Sequence, residues 1–340
     1  MTSTTKTSIN LDDKVVMVTG GTGSFGRRFA EIVLARWRPR KLIIFSRDEH
    51  KQFDMQQEPP FRDHDAMRFF IGDVREEKRL RMAMRDVDFV IHAAALKHVE
   101  IAEYNPFECI HTNVYGAENV VTAAIDCGVK KVVALSTDKA VNPINMYGAS
   151  KLAADKIFVA ANVLAGVTGP RFSVVRYGNV LGSRGSVIPY FRRLIADGAK
   201  SLPITDERMT RFWVTLDQGA ELTLTSLAMM QGGEIFVAKV PSMRITDLIA
   251  AIAPDMPTHE IGIRPGEKLH EVLVPEDETA GILDMGDRFV ICPSSNPGVA
   301  EHHKARGGTP VPGDFRYASD TNDAWLDRDE LRALLDGSGV

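Results

Sequence analysis

A chain of 340 residues with 44% hydrophobic and 25% charged residues has the balance of a globular protein, long enough to bury roughly three-quarters of its unfolded surface. A formal net charge of −4 lacks the cation excess that nucleic acid demands, so DNA or RNA binding is excluded as the main task while a local basic pocket is not. Cys109, Cys127 and Cys292 have no paired or metal-ligand spacing, the first residues form no apolar leader, and no run reaches the ~20 apolar residues of a bilayer span, so a cytoplasmic chain without disulfides, bound metal or membrane contact is expected.

Through the first half, short β-rich runs alternate with longer amphipathic stretches, the pattern of a parallel sheet wrapped by helices. Strands are expected at Val15–Thr19, Lys41–Phe45, Arg68–Ile71, Phe89–His92, Val129–Leu135 and Phe172–Arg176, several of them apolar almost throughout, as strands covered on both faces must be. Helices are expected over Gly26–Arg36 and Asn105–Cys127, the second with Pro106 in its first turn and Gly128 beyond its end. After Arg176 the alternation breaks down. Gly182–Ile188, Leu202–Arg211 and Arg264–Lys268 are rich in Gly, Pro, Arg and polar residues, with a strand at Glu234–Val237 and a helix at Thr246–Ala253 between them. Residues 294–316 read as a loop, and an acidic helix, Asp323–Leu335, closes the chain.

The first strand runs into Gly20-Gly21-Thr22-Gly23-Ser24-Phe25-Gly26, and a helix follows. Glycines at a strand-to-helix turn let backbone N–H groups approach a pyrophosphate, and the helix N-terminus adds positive potential. This placement is what a dinucleotide fingerprint requires. The second strand ends in Ser46-Arg47-Asp48, with Lys51 close behind. Ser46 can donate to a 2′-phosphate and Arg47 can pair with it, which favours NADP; in the competing reading Asp48 holds the 2′-hydroxyl of NAD and Arg47 is solvated. Asp73, followed by Val74, can accept from the adenine amino group or simply cap its loop. The small Ala93 and Ala94 allow close approach of backbone to a cofactor, and Lys97 follows them. The fold class expected is α/β, a Rossmann-type doubly wound parallel sheet with a smaller C-terminal α/β substrate-binding region. Residues 11–177 form the NADP-binding domain, 213–238 return to it, and 178–330 mainly hold substrate.

Ligands on parallel sheets sit at the carboxyl ends of strands, where the fifth strand delivers Ser136-Thr137-Asp138-Lys139. Tyr147 and Lys151 follow at one-turn spacing, and an ammonium beside a phenol lowers its pKa from ~10 toward that of a useful base. A lone Tyr-x-x-x-Lys is usually a surface helix and adjacent Asp-Lys an exposed ion pair. Their position after a strand end, downstream of the glycine fingerprint, argues for chemistry.

TGGTGSFG, the HAAALKHV run from His92, STDKAVNPINMYGASK, VVRYGNVLGSRGSVIPYF, ITDERMTRFW and GIRPGEKLHE together resemble the extended short-chain dehydrogenase/reductases. More closely they resemble the inverting UDP-N-acetylglucosamine 4,6-dehydratases that begin pseudaminic acid synthesis, from about Lys14 to Trp325. Met146 and His50 are mild departures from that pattern. The resemblance implies a tightly bound NADP that is recycled: hydride leaves sugar C4, water is lost from C6, and hydride returns to C6 with inversion at C5. It implies Tyr147 as the C4 base, Lys151 as its electrostatic partner, Thr137 as a hydroxyl relay, Lys139 as the C5 base and Asp138 as the acid at C6. A homo-oligomer, hexameric or dimer-based, is implied as well.

A UDP-sugar needs cations for its diphosphate and planar contacts for its base. Arg184, Arg211 and Arg264 are candidate cations, Arg264 foremost, with Glu267 for the ribose, Asn179 and Lys97 between cofactor and substrate, and Phe191 or Tyr317 as platforms, Phe191 being as readily a core residue. Rivals are a retaining dehydratase, a C4 epimerase, which has no need of the Asp138-Lys139 pair, and a non-catalytic NADP-binding sensor, which has no need of Tyr147 and Lys151.

Overall fold

The computed structural model describes residues 9–182, 187–278 and 281–337. The chain begins with strand–helix units: β1 (Val15–Thr19), α1 (Ser24–Arg36), β2 (Lys41–Ser46), α2 (Glu49–Gln57), β3 (Met67–Ile71), α3 (Glu77–Ala83) and β4 (Phe89–His92). Two short helices, α4 (Val99–Tyr104) and α5 (Pro106–Ile110), lead through one π-helical turn, His111–Tyr115, into α6 (Gly116–Asp126). Then come β5 (Lys131–Thr137), a 3-10 turn at Asp138–Ala140, α7 (Met146–Ala165) and β6 (Arg171–Tyr177). These six strands pair in parallel in the order β6-β5-β4-β1-β2-β3. Strands β1, β4 and nearly all of β2 and β6 are buried, as the apolar runs of β1, β2 and β4 require, and β6 buries Ser173 and Arg176 along with its Val and Phe.

The expected helix over 105–127 is therefore two helices joined by a π turn, a kink that apolar spacing does not report. Gly128 stops α6 as expected, with φ at 67°.

The second half starts with β7 (Asn179–Val180), α8 (Val187–Ala196), β8 (Leu202–Ile204), β9 (Thr210–Val214), α9 (Leu216–Met229) and β10 (Ile235–Ala238). It continues with β11 (Ser242–Arg244), α10 (Ile245–Ile252), β12 (Thr258–Glu260), β13 (Val272–Val274), β14 (Ile282–Asp284) and β15 (Arg288–Ile291). Last come α11 (Pro297–Lys304), β16 (Thr309–Pro310), β17 (Tyr317–Ala318) and α12 (Arg328–Gly337). Strand β10 joins β6 in parallel, and β15, β14 and β16 extend the edge antiparallel, making ten strands. From the 213–238 stretch, β10 joins the main sheet while the end of β9 pairs in a separate three-stranded sheet, and strands between 282 and 310 join the main sheet too. Strands of two to four residues carry no readable period, which is why 294–316 read as a loop although it holds α11 and β16. The last helix starts at Arg328 rather than Asp323. Glu330 N donates to Asp327 Oδ1 at 2.8 Å and Asp327 N to Glu330 Oε2 at 3.0 Å, a reciprocal cap that defines the start.

Among the described residues two large apolar cores form, with a small third cluster of Ala102, Cys109 and Tyr147. The larger packs Phe29, Phe45, Phe158, Phe172 and Phe236 against the sheet, and the smaller gathers Phe191, Trp213, Met243, Leu248 and Leu331 in the C-terminal region. Each such side chain contributes about 1.5–3 kcal/mol when buried. Among the described residues no helix is long and apolar enough to cross a membrane.

Candidate active site

Thr19 ends β1, and its Oγ1 bonds His92 Nδ1 at the end of β4, 2.9 Å away. The chain then turns at Gly20 with φ at 66°, where any Cβ would lie 2.8 Å from Ala94 N. Only glycine allows this contact, so the glycine loop and the Ala93–Ala94 strand end form one backbone cradle. Thr22 Oγ1 bonds Ser46 Oγ at 2.9 Å and ties the loop to the end of β2. Below lies a cleft of about 670 Å³. Every residue assigned to the cofactor from sequence lines it except Asp48.

Asp48 instead caps α2. It accepts from Lys51 N at 3.0 Å and pairs with Lys51 Nζ at 2.6 Å, and these bonds hold its carboxyl below the usual range. Its carboxylate is thus committed, which corrects its assignment as a ribose ligand. Asp73 lines the cleft, but it also caps its own loop, accepting from Arg75 N at 3.0 Å, with Arg47 3.7 Å away. Thr112 was not anticipated; its buried Oγ1 lines the cleft without a partner. The cradle, the basic strand end and this unpaired hydroxyl fit a dinucleotide.

Strand β5 carries Ser136 and Thr137 to the far end of the cleft, where Lys139, Tyr147 and Lys151 also line it. Tyr147 is buried, and burial pushes its phenol up to about 12, while Lys139 and the hydrogen bond shared with Thr137 pull the other way. The cation that acts most strongly on Tyr147 is therefore Lys139. Lys151, the partner expected from spacing, donates to Leu135 O at 2.7 Å and is itself pulled down by burial. Thr137 Oγ1 donates to Asp138 Oδ1 at 2.7 Å, and Lys139 Nζ donates to the same oxygen at 3.1 Å. Asp138 is fully buried, does not line the cleft, and has no partner for Oδ2. Burial works against the Lys139 ammonium, but Asp138 and Glu271, 3.5 Å away, outweigh it and hold the lysine above its ordinary value.

This geometry is enforced by the first turn of α7. A Cβ on Gly148 would lie 2.1 Å from Lys139 O, so helix and 3-10 turn meet backbone to backbone. Asn145 caps the helix, accepting from Gly148 N at 2.7 Å and donating to Gly266 O at 2.7 Å. From the π turn, Asn113 bonds Leu96 N at 2.8 Å, Leu96 O at 2.9 Å and Ser150 Oγ at 2.9 Å. Single π turns often mark functional sites, and this one links the two sides of the cleft. No sequence signal would have found it.

A second cleft, of about 710 Å³, meets the first at His98 and Asn179. Arg211, Arg264, Glu267 and Phe191 line it, and Phe191 also belongs to the smaller core. Arg211 spends donors on Thr210 O, Leu269 O and Lys268 O at 2.7–3.0 Å, so it fastens the 264–271 segment. Arg264 is half-exposed, 3.3 Å from Glu100. Asn179 Oδ1, Glu267 Oε2 and Trp213 Nε1 are buried in this lining without partners; Trp213 was missed because it reads as a core aromatic. Tyr317 lines neither cleft. Its hydroxyl donates to Val240 O and accepts from Val240 N, both at 2.9 Å, and its ring packs on Phe212 and Phe289, which corrects its assignment to substrate. Arg184 lies outside the described residues. Among the described residues no cluster of three or more metal-ligating side chains occurs.

A family profile described as "Polysaccharide biosynthesis protein" matches residues 16–293. The chain is 52% identical over 327 residues to a UDP-N-acetylglucosamine 4,6-dehydratase (inverting) of Campylobacter jejuni, covering 95% of this chain and 97% of that protein. A UDP-glucose 4-epimerase of Rickettsia canadensis is 44% identical over 290 residues, 82% of this chain and 83% of that protein. Among solved structures, Pen from Bacillus thuringiensis superposes with a TM-score of 0.89 at 37% identity, covering 97% of this chain and 99% of that one.

Proposed function

The chain belongs to the polysaccharide biosynthesis protein family, among its inverting UDP-N-acetylglucosamine 4,6-dehydratases, and from that premise we propose how its residues perform the reaction. The substrate is UDP-N-acetylglucosamine and the product is its 4-keto-6-deoxy sugar inverted at C5, the entry to pseudaminic acid synthesis. The observation that carries this reading is the Asp138–Lys139 pair, bonded at 3.1 Å, with Lys139 lining the first cleft together with Tyr147.

The glycine loop and the N-terminus of α1 hold the pyrophosphate of a dinucleotide, while Ser46, Arg47 and Lys51 hold its ribose end. When bound, that cofactor supplies a carbon that takes hydride from C4 and returns it to C6. NADP is the form favoured, because Asp48 is committed to Lys51 while Arg47 and Ser46 face the cleft. Arg47→Ala should narrow the ratio of NADP to NAD affinity at least about tenfold, as loss of a charge-assisted contact would; tighter NAD binding by the wild type would overturn the preference.

Tyr147, once ionised beside Lys139, takes the proton of the C4 hydroxyl, with Thr137 relaying protons between the phenol and Asp138. The resting Asp138–Lys139 pair is an ion pair. Passing one proton along the 3.1 Å bond leaves a neutral amine and a carboxylic acid, the forms that elimination needs. The amine takes the C5 proton, the C5–C6 double bond forms, and the acid's proton, passed out through Thr137, leaves with the C6 oxygen as water. Both side chains are then back in their starting forms, and one proton added to C5 on the opposite face as C6 is reduced, equal to the one Tyr147 took from the C4 hydroxyl, closes the balance and inverts C5. Arg264, Glu267 and Asn179 hold the nucleotide and sugar in the second cleft. The dinucleotide sits on 11–177 with 213–238, and the UDP-sugar mainly on 178–330. Exposed Ile101, Tyr104 and Phe107 on α4 and α5 support a homo-oligomer, and three free thiols support a cytoplasmic setting.

Incubation with UDP-N-acetylglucosamine in heavy water, read by mass spectrometry and NMR, tests the reading. Expected is loss of one water, deuterium at C5 and the inverted configuration; a product that keeps all its oxygens would make the enzyme an epimerase.

A further inference from the structure

Glu271 is a buried carboxylate, 2% exposed, that lines neither cleft and that the dehydration steps above do not use. It precedes β13, whose residues pack against the 138–140 turn. Its Oε1 lies 3.5 Å from Lys139 Nζ and 3.7 Å from Arg211 Nε, and its Oε2, 3.9 Å from Lys268 Nζ, accepts no hydrogen bond. Its backbone is clamped: Glu271 N donates to Ser319 Oγ at 2.9 Å and Ser319 N donates to Glu271 O at 2.8 Å. The charged groups facing it are Asp138 and Lys139 from the turn, Arg211 from β9 and Lys268 from its own segment.

We propose that Glu271 is a positioning residue that fixes the Lys139 ammonium between two carboxylates and sets how readily this nitrogen gives up its proton to become the C5 base. The proposal rests on the reading of Lys139 as that base. Asp138 is the neighbour of Lys139 in sequence and cannot by itself stop the long side chain from swinging. A second anion, held by a different part of the chain, gives the nitrogen two fixed points. Charge follows geometry. An anion here favours the ammonium, so it strengthens Lys139 as a proton acceptor and raises the pH needed to free the amine. Burial and Asp138 push the Glu271 carboxyl above its ordinary value, while Lys139, Arg211 and Lys268 pull the other way, toward the anion.

Glu271→Gln keeps shape and removes charge. The plateau of kcat/KM for dehydration should fall, with Glu271→Asp between the wild type and the Gln variant. A substrate-free measurement runs beside it: pH-dependent acetylation of the 24%-exposed Lys139 side chain by acetic anhydride, quantified by mass spectrometry. Half-labelling should also fall by at least one unit in Glu271→Gln, with NADP binding and Tm reporting that the variant is folded. An unmoved plateau and unmoved labelling in the folded variant overturn the proposal, since Glu271 would then carry no charge that Lys139 feels. If labelling moves but the wild type leaves UDP-N-acetylglucosamine intact, the assigned reaction falls and Glu271 remains the anchor of Lys139. Should the Gln variant not fold, labelling of the Asp variant decides, and no change from wild type counts against the proposal.

Discussion

Lys139 shows how one side chain's chemistry is decided by its neighbours. An isolated lysine near the surface is a spectator cation; this one sits between Asp138 and Glu271 and acts on Tyr147. Lys139→Ala should abolish water loss while leaving cofactor affinity unchanged, measured by product mass and cofactor titration; dehydration at the wild-type rate would remove Lys139 from the mechanism. Tyr147→Phe should cost about 10²–10⁴-fold in turnover, the usual worth of a positioned acid–base group, with the cofactor still bound. With burial pushing the phenol up to about 12, the ionised form is scarce at neutral pH, so wild-type turnover should rise with pH until the phenolate forms. The residues themselves, Thr137-Asp138-Lys139 and Tyr147, were legible because they are contiguous or one turn apart. Glu271 was not, because 132 positions separate it from Lys139 and nothing local to its sequence marks a carboxylate facing an amine (271 − 139 = 132).

At the scale of elements, the site depends on how the start of α7 meets the turn after β5. Gly148→Ala would place a methyl 2.1 Å from Lys139 O, and neither backbone can yield without moving Tyr147 or Lys139. Overpacking of this kind costs about 1–3 kcal/mol, so Tm should fall by several degrees and activity by far more than the loss of folded protein explains. A wild-type rate in Gly148→Ala would show that the helix start tolerates displacement. The glycine loop and the Pro106 and Gly128 boundaries could be read from sequence because each answers a local backbone demand. The π turn could not, since the side-chain spacing of α5 and α6 is continuous through it, and only Asn113's bonds to Leu96 and Ser150 explain it.

The whole molecule is fastened at the end of the sheet where β10 begins. Glu234 is fully buried and accepts from Ser173 Oγ at 2.6 Å, Gln231 N at 2.5 Å, Gly232 N at 2.8 Å and His303 Nε2 at 3.1 Å, joining β6, β10 and α11. Burial opposes its ionisation, but the donors together hold its carboxyl below the ordinary glutamate value. A carboxyl lowered on folding adds stability that is complete above its unfolded value of about 4.3 and is lost as pH falls through the lower folded value. Thermal unfolding followed from pH 7 downward should show Glu234→Gln less stable at neutral pH and its deficit shrinking below about pH 4.3; parallel curves would mean that Glu234 is not ionised in the folded protein.

The amino-acid sequence by itself determined the parallel α/β core, the dinucleotide loop and the order of reactive groups at the end of β5, because each is written in spacing over a few residues. Only the tertiary structure decided that Asp48 is a helix cap, that Tyr317 is a core residue, that strands near residues 282–310 complete the main sheet, and that Glu271 faces Lys139. The physical reason is range: backbone preference and apolar period act between neighbours in the chain, whereas a charge or a hydrogen-bonding group is defined by whatever folding brings within about 4 Å of it.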